Sequence, residues 1–281
     1  MTLDDTWAGE RAARWLRKAA GLEQQMAPVS DVLFTAAALR PGEQVLDVGC
    51  GTGPTTRQAA VAVGPGGRVT GIDISPELLD AAAAVRAQGA PTDWLCADVA
   101  TWTPPAQAYD VVLSRFGVMF FADPAAAFAR LAEATRPGGR LAVAVWGART
   151  ASPLFEEPLH AVLDVLAARG IPEPDGLSPV GGPFSMSDPV ATAQLLEGAG
   201  WRDVRSAQHV LPLLFGGGLD PAAAAEEATD FGPARLAVEP LDEAGRAAAI
   251  TALTSTFASH VNGQGQVVLD GFVYVVTARR S

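Results

Sequence analysis

The 281-residue sequence predicts an α/β protein built on a doubly wound, mainly parallel sheet. Three observations support this class. Short apolar segments alternate with helical segments through the first half of the chain, which is the pattern of βαβ units with both sheet faces covered. A glycine-rich turn follows the first apolar segment, as is common where a strand leads into a helix beside a ligand. Apolar residues make up 49% of the chain and charged residues 18%, so it can bury one large core.

The first elements follow from local patterns. Residues 7–39 are predicted to be helical with a break near Pro28, because proline removes a backbone donor inside a helix. A buried strand is predicted at 43–48. Pro54 then stands at the first position of a helix that ends at about Val63, where its fixed φ and missing N–H group are tolerated.

The later elements repeat this alternation and then depart from it. Ser75 is a good N-cap for a helix over 76–88, and Asp123 caps a helix that ends at the "PGG" of 137–139. The Pro- and Gly-rich segment 170–184 predicts an irregular loop that roofs the ligand site. The other predicted elements are strands at 68–74, 93–99, 109–115, 140–146, 202–215 and 267–279, and helices at 154–168, 187–201, 220–231 and 241–259.

We expect one structural domain with four parts, because the regular alternation stops after Trp146. These parts are an N-terminal helical cap (1–40), a Rossmann-like core that binds the ligand (41–150), an insertion with a lid loop and a helix (151–200), and the C-terminal part of the sheet with helices on the substrate side (201–281).

Charge and rare residue types argue against several classes of protein. The net charge is −11 and no basic cluster is longer than Arg279-Arg280, so nucleic acid is not an expected partner. Cys50 and Cys96 lack metal-ligand spacing, so we expect no metal site and reduced thiols. No apolar run approaches the ~20 residues that span a bilayer. The first residues, "MTLDDTWAGERAARW", are unlike a signal peptide, so we expect a cytoplasmic protein without membrane contact.

The segment "VLDVGCGTGP", residues 45–54, carries the strongest local signal. Gly49, Gly51 and Gly53 allow the backbone to approach a ligand, because no Cβ atom stands in the way. Dinucleotide sites use the spacing G-x-G-x-x-G. Here the third glycine comes one residue early, and Pro54 removes an N–H group that a pyrophosphate would use. Both departures count against NAD.

Three predicted strands end in aspartate. Asp73 follows the last glycine by about 20 residues, the distance at which a carboxylate accepts hydrogen bonds from ribose hydroxyls. Asp98 can accept a hydrogen bond from an adenine amine, beside the backbone of Val99. Asp47 can interact with a ligand ammonium group, directly or through water. So many carboxylates at one sheet edge disfavour a phosphate ligand.

In these residues the chain resembles the class I S-adenosylmethionine-dependent methyltransferases, and most closely their ubiquinone/menaquinone-biosynthesis-type small-molecule branch. The motifs that carry the resemblance are "VLDVGCGTGP", "VTGIDIS", "CADV", "YDVVLSRFGVMFF" and "ATRPGGRLAVAVW", within residues 41–147. The resemblance implies a seven-stranded sheet whose last strand runs antiparallel. It also implies S-adenosyl-L-methionine as cofactor.

The resemblance assigns roles to single residues. Gly49, Gly51 and Gly53 would line the methionine part of the cofactor. Asp73 would hold the ribose, and Asp98 with Val99 would hold the adenine. The two remaining assignments are packing of Ile74 on the adenine face and a place for Ser114 near the reactive end of the cofactor.

The expected activity is methyl transfer to an oxygen, nitrogen or carbon atom of a small hydrophobic metabolite, in bacterial secondary metabolism. Three alternatives stay open at this point. The chain could bind S-adenosylmethionine without transferring methyl, as pericyclases and hydroxylase-like relatives do. It could be an NAD-dependent oxidoreductase, or a binding module only. A monomer or homodimer is expected.

The sequence does not identify a catalytic base. His160, His209 and Arg115 are candidates, while His260 closes a predicted helix, where a cation suits the helix dipole. Methyl transfer can proceed by alignment alone. The candidate residues of the acceptor pocket are Trp7, Trp15, Arg115 and Phe116.

Overall fold

The computed structural model describes residues 9–281, apart from the side chain of Arg11. Its centre is one seven-stranded sheet. The strands are β1 (Gln44–Val48), β2 (Arg68–Asp73), β3 (Thr92–Cys96), β4 (Tyr109–Arg115), β5 (Thr135–Trp146), β6 (Trp201–Leu214) and β7 (Val268–Arg280).

The strand order is β3-β2-β1-β4-β5-β7-β6. Strands β1 to β5 pair in parallel, and β7 pairs antiparallel with both β5 and β6. This confirms the predicted Rossmann-like sheet of seven strands with the last one antiparallel. Parallel strands place their carboxyl ends at one edge, where ligands bind in open α/β sheets.

Helices cover both faces of the sheet. Six of them begin with proline, which suits the first helical position. Aspartate or serine caps five of the helices, as when Asp123 accepts a hydrogen bond from Ala126 N–H at 2.9 Å. The helices are α1 (Glu10–Ala37), α2 (Pro54–Val63), α3 (Pro76–Ala83), α4 (Pro124–Ala134), α5 (Pro153–Ala168), α6 (Pro189–Gly198), α7 (Pro221–Ala228), α8 (Gly232–Val238) and α9 (Glu243–Ala258).

Helix α1 corrects the prediction of a break near Pro28, because it continues through that residue. The missing hydrogen bond costs roughly 3 kcal/mol, and tertiary contacts offset that cost. Val29 and Leu33 are fully buried. Arg140 holds the end of the helix, because its guanidinium donates to the carbonyls of Ala37 (2.6 Å) and Ala38 (2.8 Å).

Two further helices differ from the sequence prediction. Helix α3 ends at Ala83 instead of residue 88. The predicted helix over 220–231 ends at Ala228, and the separate helix α8 follows. Gly232 has a φ of +62°, which interrupts a right-handed helix. The chain therefore turns beside the carboxyl edge of the sheet, where α8 contributes to a cavity.

Candidate active site

A cavity of about 800 Å³ lies at the carboxyl ends of the parallel strands. The loops after β1, β2, β3, β4 and β5 form its floor. Helix α1, the loop 176–184 and helix α8 form its walls and roof. Within the predicted loop over 170–184, residues 176–178 and 180–184 line this cavity, and Phe184 is buried.

The glycine loop after β1 has three glycines with positive φ, at 64°, 54° and 77° for Gly49, Gly51 and Gly53. They meet different surroundings. A Cβ atom on Gly49 would lie 2.6 Å from the Cα of Gly117, so this position permits close backbone packing. Gly51 lines the cavity. Gly53 is absent from the lining and instead packs on Trp94 of β3, so the structure does not bring it to the ligand space.

Asp73 joins the glycine loop to the end of β2. Its Oδ2 accepts a hydrogen bond from Gly51 N–H at 2.8 Å, and its Oδ1 accepts one from Ser75 N–H at 3.0 Å. Burial raises the pKa of Asp73 above its ordinary value, and these backbone donors oppose the rise. The carboxylate lines the cavity beside Ile74. Each oxygen has further acceptor capacity for a ligand hydroxyl.

The end of β3 supplies a second acidic residue. Asp98 lines the cavity, and its Oδ1 accepts a hydrogen bond from Ala100 N–H at 2.9 Å. Val99 lines the cavity as well and is buried. Asp73, Ile74, Asp98 and Val99 thus all line the cavity at the ends of the neighbouring strands β2 and β3.

Asp47 and Ser114 lie outside the cavity lining, which corrects the expectation that they face the ligand. Both side chains are fully buried. The Oδ2 of Asp47 accepts hydrogen bonds from the hydroxyls of Thr55 and Thr56, each at 2.6 Å, and these residues belong to α2. Ser114 Oγ donates to the carbonyl of Val48 at 2.7 Å. Asp47 and Ser114 thus fix the glycine loop from behind.

Burial is also the main cause of the raised pKa of Asp47. It raises the pKa of Asp47 to about 6, although both threonine hydroxyls and the charge of Arg115 act in the opposite direction. Burial likewise raises the pKa of the Cys50 thiol. A buried thiol of this kind is a poor nucleophile.

Three of the predicted acceptor-pocket residues line the cavity, namely Trp15, Arg115 and Phe116. Trp7 lies outside the described residues. Arg115 is engaged by α1, since its guanidinium forms a two-pronged contact with Glu23 (2.5 and 3.2 Å) and donates to Ser30 Oγ at 2.6 Å. Arg115 therefore links the end of β4 to α1. Its guanidinium stays protonated and does not act as a base.

Phe116 has a φ of +64°, a strained value for a bulky residue. Its N–H group donates to the carbonyl of Ala144 at 2.9 Å, which holds this backbone geometry. The ring stacks on Trp146 with a centroid distance of 4.1 Å and an angle of 12°. The strain thus orients an aromatic ring at the cavity wall.

The aromatic contacts continue past Trp146 through residues that the sequence analysis missed. Trp146 meets Phe155 edge-on at 5.0 Å, and Phe155 meets Phe184 edge-on at 5.1 Å. Arg149, also missed, lines the cavity, and its Nε lies 2.9 Å from Oε1 of Glu156, the residue after Phe155. One signal was available for Trp146 and Arg149, because both lie at the carboxyl end of a predicted parallel strand.

Comparison with known proteins gives the family. A model described as "Methyltransferase domain" matches residues 45–139. Nocamycin O-methyltransferase of Saccharothrix syringae is 34% identical over 195 residues, which cover 66% of this chain and 69% of the relative. The chain belongs to the methyltransferase family. This membership confirms the expected S-adenosylmethionine-dependent methyltransferase, while the ubiquinone/menaquinone-type branch stays a prediction.

A second relative of this methyltransferase is trans-aconitate 2-methyltransferase of Streptomyces avermitilis, 34% identical over 159 residues that cover 55% of each chain. Among solved structures, a chain in the complex between the Haloferax volcanii Trm112 methyltransferase activator and the putative methyltransferase has a TM-score of 0.55 and 20% identity, covering 99% of this chain and 98% of that one. The [4+2]-cyclase SpnF has a TM-score of 0.51 and 20% identity, covering 90% of this chain and 80% of that one. These two structures show a shared fold.

The histidines of this methyltransferase lie away from the cavity. The side chain of His160 is 65% exposed and sits 3.5 Å from Glu156 Oε2 on the same helix. His209 is on β6, where it pairs with Val273 of β7. His260 lies 3.9 Å from Glu157. The structure therefore does not place the candidate bases His160 and His209 where an acceptor would bind.

Two features are absent within residues 9–281. No group of three His, Cys, Asp or Glu side chains there is arranged to hold a metal ion. In the same range, the search for a helix of sufficient length and apolar character to cross a bilayer finds none.

Proposed function

We propose that this methyltransferase transfers the methyl group of S-adenosyl-L-methionine to an oxygen atom of a small, largely apolar metabolite of bacterial secondary metabolism. The observation that carries the proposal is the cavity at the carboxyl ends of the parallel strands. It extends from the glycine loop and the acidic strand ends to an aromatic wall formed by Phe116, Trp146, Phe155 and Phe184. One space thus has room for the cofactor and for an apolar acceptor.

The residues present fit the cofactor. Gly51 leaves open space toward the cavity, since a Cβ atom there would have Trp15 Nε1 as its nearest neighbour at 3.8 Å. Asp73 offers carboxylate acceptors for ribose hydroxyls. Ile74 offers an apolar surface for adenine, and Asp98 with Val99 offers an acceptor and backbone at the ring edge. The two carboxylates favour a cationic ligand over a phosphate.

When bound, the cofactor supplies an electrophilic methyl group. The protein's part in such a reaction is to orient the acceptor and exclude water. Alignment of two reactants can contribute ~7–11 kcal/mol to lowering the barrier. We assign the orientation of the acceptor to the ring pair of Phe116 and Trp146, and the exclusion of water to the loop 176–184.

The names of the two relatives support the choice of oxygen and of a natural-product acceptor. One is named as an O-methyltransferase of nocamycin. The other is named for the methylation of trans-aconitate. Neither acceptor is assigned to this chain by its relative's name, but both names describe small organic molecules.

The test combines cofactor binding with product analysis. Calorimetry should show binding of S-adenosyl-L-methionine and of S-adenosylhomocysteine, and NAD should not bind. Mass spectrometry should then detect an acceptor that is one methyl group heavier, together with S-adenosylhomocysteine. Absence of binding at millimolar cofactor would refute the proposal. Binding without S-adenosylhomocysteine formation from any oxygen acceptor would favour the alternative of a methyltransferase-like enzyme without methyl transfer.

A further inference from the structure

Arg149 is a buried cation at the acceptor end of the cavity. It lies in a short helical turn, Arg149–Ala151, after β5. Only 7% of the residue is exposed, yet it lines the cavity. The inference drawn from it rests on the proposed function, because it concerns the acceptor that the same site would take.

The hydrogen-bonding capacity of Arg149 is little used. Its Nε lies 2.9 Å from Glu156 Oε1, but the angle is outside that of a hydrogen bond, and both buried atoms lack a hydrogen-bond partner within residues 9–281. A guanidinium carries five N–H donors. A buried donor without an acceptor costs about 1–3 kcal/mol, so the pair with Glu156 balances the charge of Arg149 and leaves its donors for a ligand.

Arg140 and Arg115 have structural roles, in which the guanidinium donates several hydrogen bonds to other parts of the chain. Arg140 donates to two carbonyls and binds both oxygens of Glu43, each at 2.8 Å. Arg115 binds both oxygens of Glu23 and also donates to Ser30. Arg149 lines the cavity as Arg115 does, but it has no comparable set of hydrogen bonds in the described chain.

The aromatic wall next to Arg149 suits a planar molecule. The rings of Phe116, Trp146, Phe155 and Phe184 contact one another in sequence, with centroid distances of 4.1, 5.0 and 5.1 Å. Stacked and edge-on aromatic surfaces bind flat, apolar groups. A planar body with one anionic group would satisfy both the rings and the cation.

The titratable groups around the cavity agree with an acceptor that is already ionised. No histidine lines the cavity among the described residues. Of the lining carboxylates, Glu23 pairs with Arg115 and Asp230 with Arg14 (3.2 Å). Asp73 and Asp98 accept backbone N–H groups in the proposed cofactor region, and Glu10 lies at the start of α1. No histidine in this cavity can therefore remove a proton from the acceptor. An acceptor oxygen that is already anionic near neutral pH does not need a base to remove its proton.

We propose that the acceptor is a planar, largely apolar acid whose oxygen anion, a carboxylate or an enolate, binds to Arg149. The transfer forms an O–CH₃ bond at an anionic oxygen as the C–S bond of the sulfonium breaks, and the electron pair of that bond stays on sulfur. The products are a neutral methyl ester or enol ether and a neutral thioether, so no proton is released. Arg149 binds the acceptor and does not act as a base.

The experiment measures probe binding by calorimetry at neutral pH with saturating S-adenosylhomocysteine. The carboxylate arm compares 2-naphthoate with neutral 2-naphthamide. The enolate arm compares 4-hydroxycoumarin, which is ionised at this pH, with its neutral 4-methoxy ether. We expect at least one anionic probe to bind about tenfold or more tightly than its neutral partner. The arm that shows the larger preference identifies the acid type.

Variants separate binding by Arg149 from a structural role. Arg149→Met should abolish the preference for the anion and leave the affinity for the neutral probe unchanged, whereas Arg149→Lys should keep part of it. Glu156→Gln retains the size of the side chain and removes the competing charge, so anion affinity should rise severalfold. If Arg149 only pairs with Glu156, Glu156→Gln would leave anion affinity unchanged, which contradicts the proposal.

The affinity for S-adenosylhomocysteine, measured first in every variant, distinguishes the two levels of failure. A wild-type protein that does not bind it refutes the proposed function. A protein that binds it, but prefers neither anion over its neutral partner, overturns only the assignment to Arg149. An anion preference that survives in Arg149→Met overturns it as well.

Discussion

Gly53 lies directly against the indole of Trp94, since a Cβ atom built on Gly53 would overlap Trp94 Cη2. Gly51, two residues earlier, faces the cavity. Both glycines have positive φ, 77° and 54°. The same substitution therefore imposes a similar backbone strain at both positions and differs in what the added methyl group meets.

This pair predicts that one alanine variant mainly loses stability and the other mainly loses cofactor binding. Gly53→Ala should lower the free energy of unfolding by roughly 2–4 kcal/mol, because backbone strain and a clash with the half-buried ring of Trp94 add. Gly51→Ala should cost roughly 1 kcal/mol of stability and weaken S-adenosylhomocysteine binding about tenfold or more. Urea unfolding and calorimetry measure the two effects. Equal stability of the two variants would mean that Trp94 does not constrain Gly53.

Asp73 should matter for both the glycine loop and the cofactor. Asp73→Ala removes the acceptor of the Gly51 and Ser75 N–H groups, together with the proposed ribose contact. We expect S-adenosylhomocysteine affinity to fall at least about tenfold, while Asp73→Asn should lose less, since it keeps one oxygen. Asp93→Asn on β3, which removes an exposed ion pair with Arg68, is the matched control and should bind normally. Unaltered affinity in Asp73→Ala would remove this residue from the site.

Asp47 should make stability depend on pH. Because burial raises its pKa from 3.8 to about 6, the folded protein binds more protons than the unfolded chain between these values. The contribution of Asp47 to stability is therefore complete below about pH 4 and is lost as the pH rises through 6. The raised pKa of Asp73 acts in the same direction.

Asp47→Asn should remove the Asp47 part of this dependence. The amide oxygen can still accept from Thr55 and Thr56, so we expect the variant to gain up to about 3 kcal/mol at pH 7 relative to wild type and little at pH 4. Unfolding in urea across this range measures the gain. Asp203→Asn, at an exposed position of β6, should follow the wild-type curve. If the free energy of unfolding of Asp47→Asn changed with pH in the same way as that of the wild type, Asp47 would not titrate in this range.

The roof of the cavity should respond to ligands. Phe184 anchors the segment 171–184 by packing on Phe155, and Ser185 Oγ donates to the carbonyl of Met119 at 2.6 Å. We expect cleavage in this segment by a nonspecific protease to slow when S-adenosylhomocysteine and an acceptor are bound. Phe184→Ala should accelerate cleavage without ligand, whereas Val190→Ala, at an exposed side chain on α6, should not. If the rate of cleavage were the same with and without the ligands, this segment would not act as a lid.

The central strands of the sheet could be predicted from the sequence because β1 and β4 are mostly buried on both faces. Val45, Leu46 and Val48 of β1 are almost completely buried, so apolar side chains on both faces mark the strand, and the buried Asp47 is the one polar residue among them. The break predicted at Pro28 was wrong because a local rule cannot include the contacts of Val29 and Leu33 with the rest of the core. Tertiary packing decided that element.

Only some of the residues that line the cavity could be predicted from the sequence, because the sequence does not give the direction of each side chain. Asp73 and Asp98 stand at or just beyond the ends of β2 and β3 and reach the cavity. Asp47 is the fourth residue of β1, and its side chain turns to the hydroxyls of α2. Strand position indicates the sheet edge but not the direction of each side chain. The acceptor end joins residues that are distant in sequence, such as Phe116 and Phe184, and only the folded chain brings them together.

The position of β7 has a consequence for how the chain is made. This strand, residues 268–280, separates β6 from β5, so β6 emerges from the ribosome more than fifty residues before its hydrogen-bonding neighbour. Until β7 is synthesised, β6 has no strand to pair with. This delay slows folding and leaves the backbone groups of β6 exposed to pairing with other chains. Deletion of the last strand would therefore detach two strands from the sheet, not one.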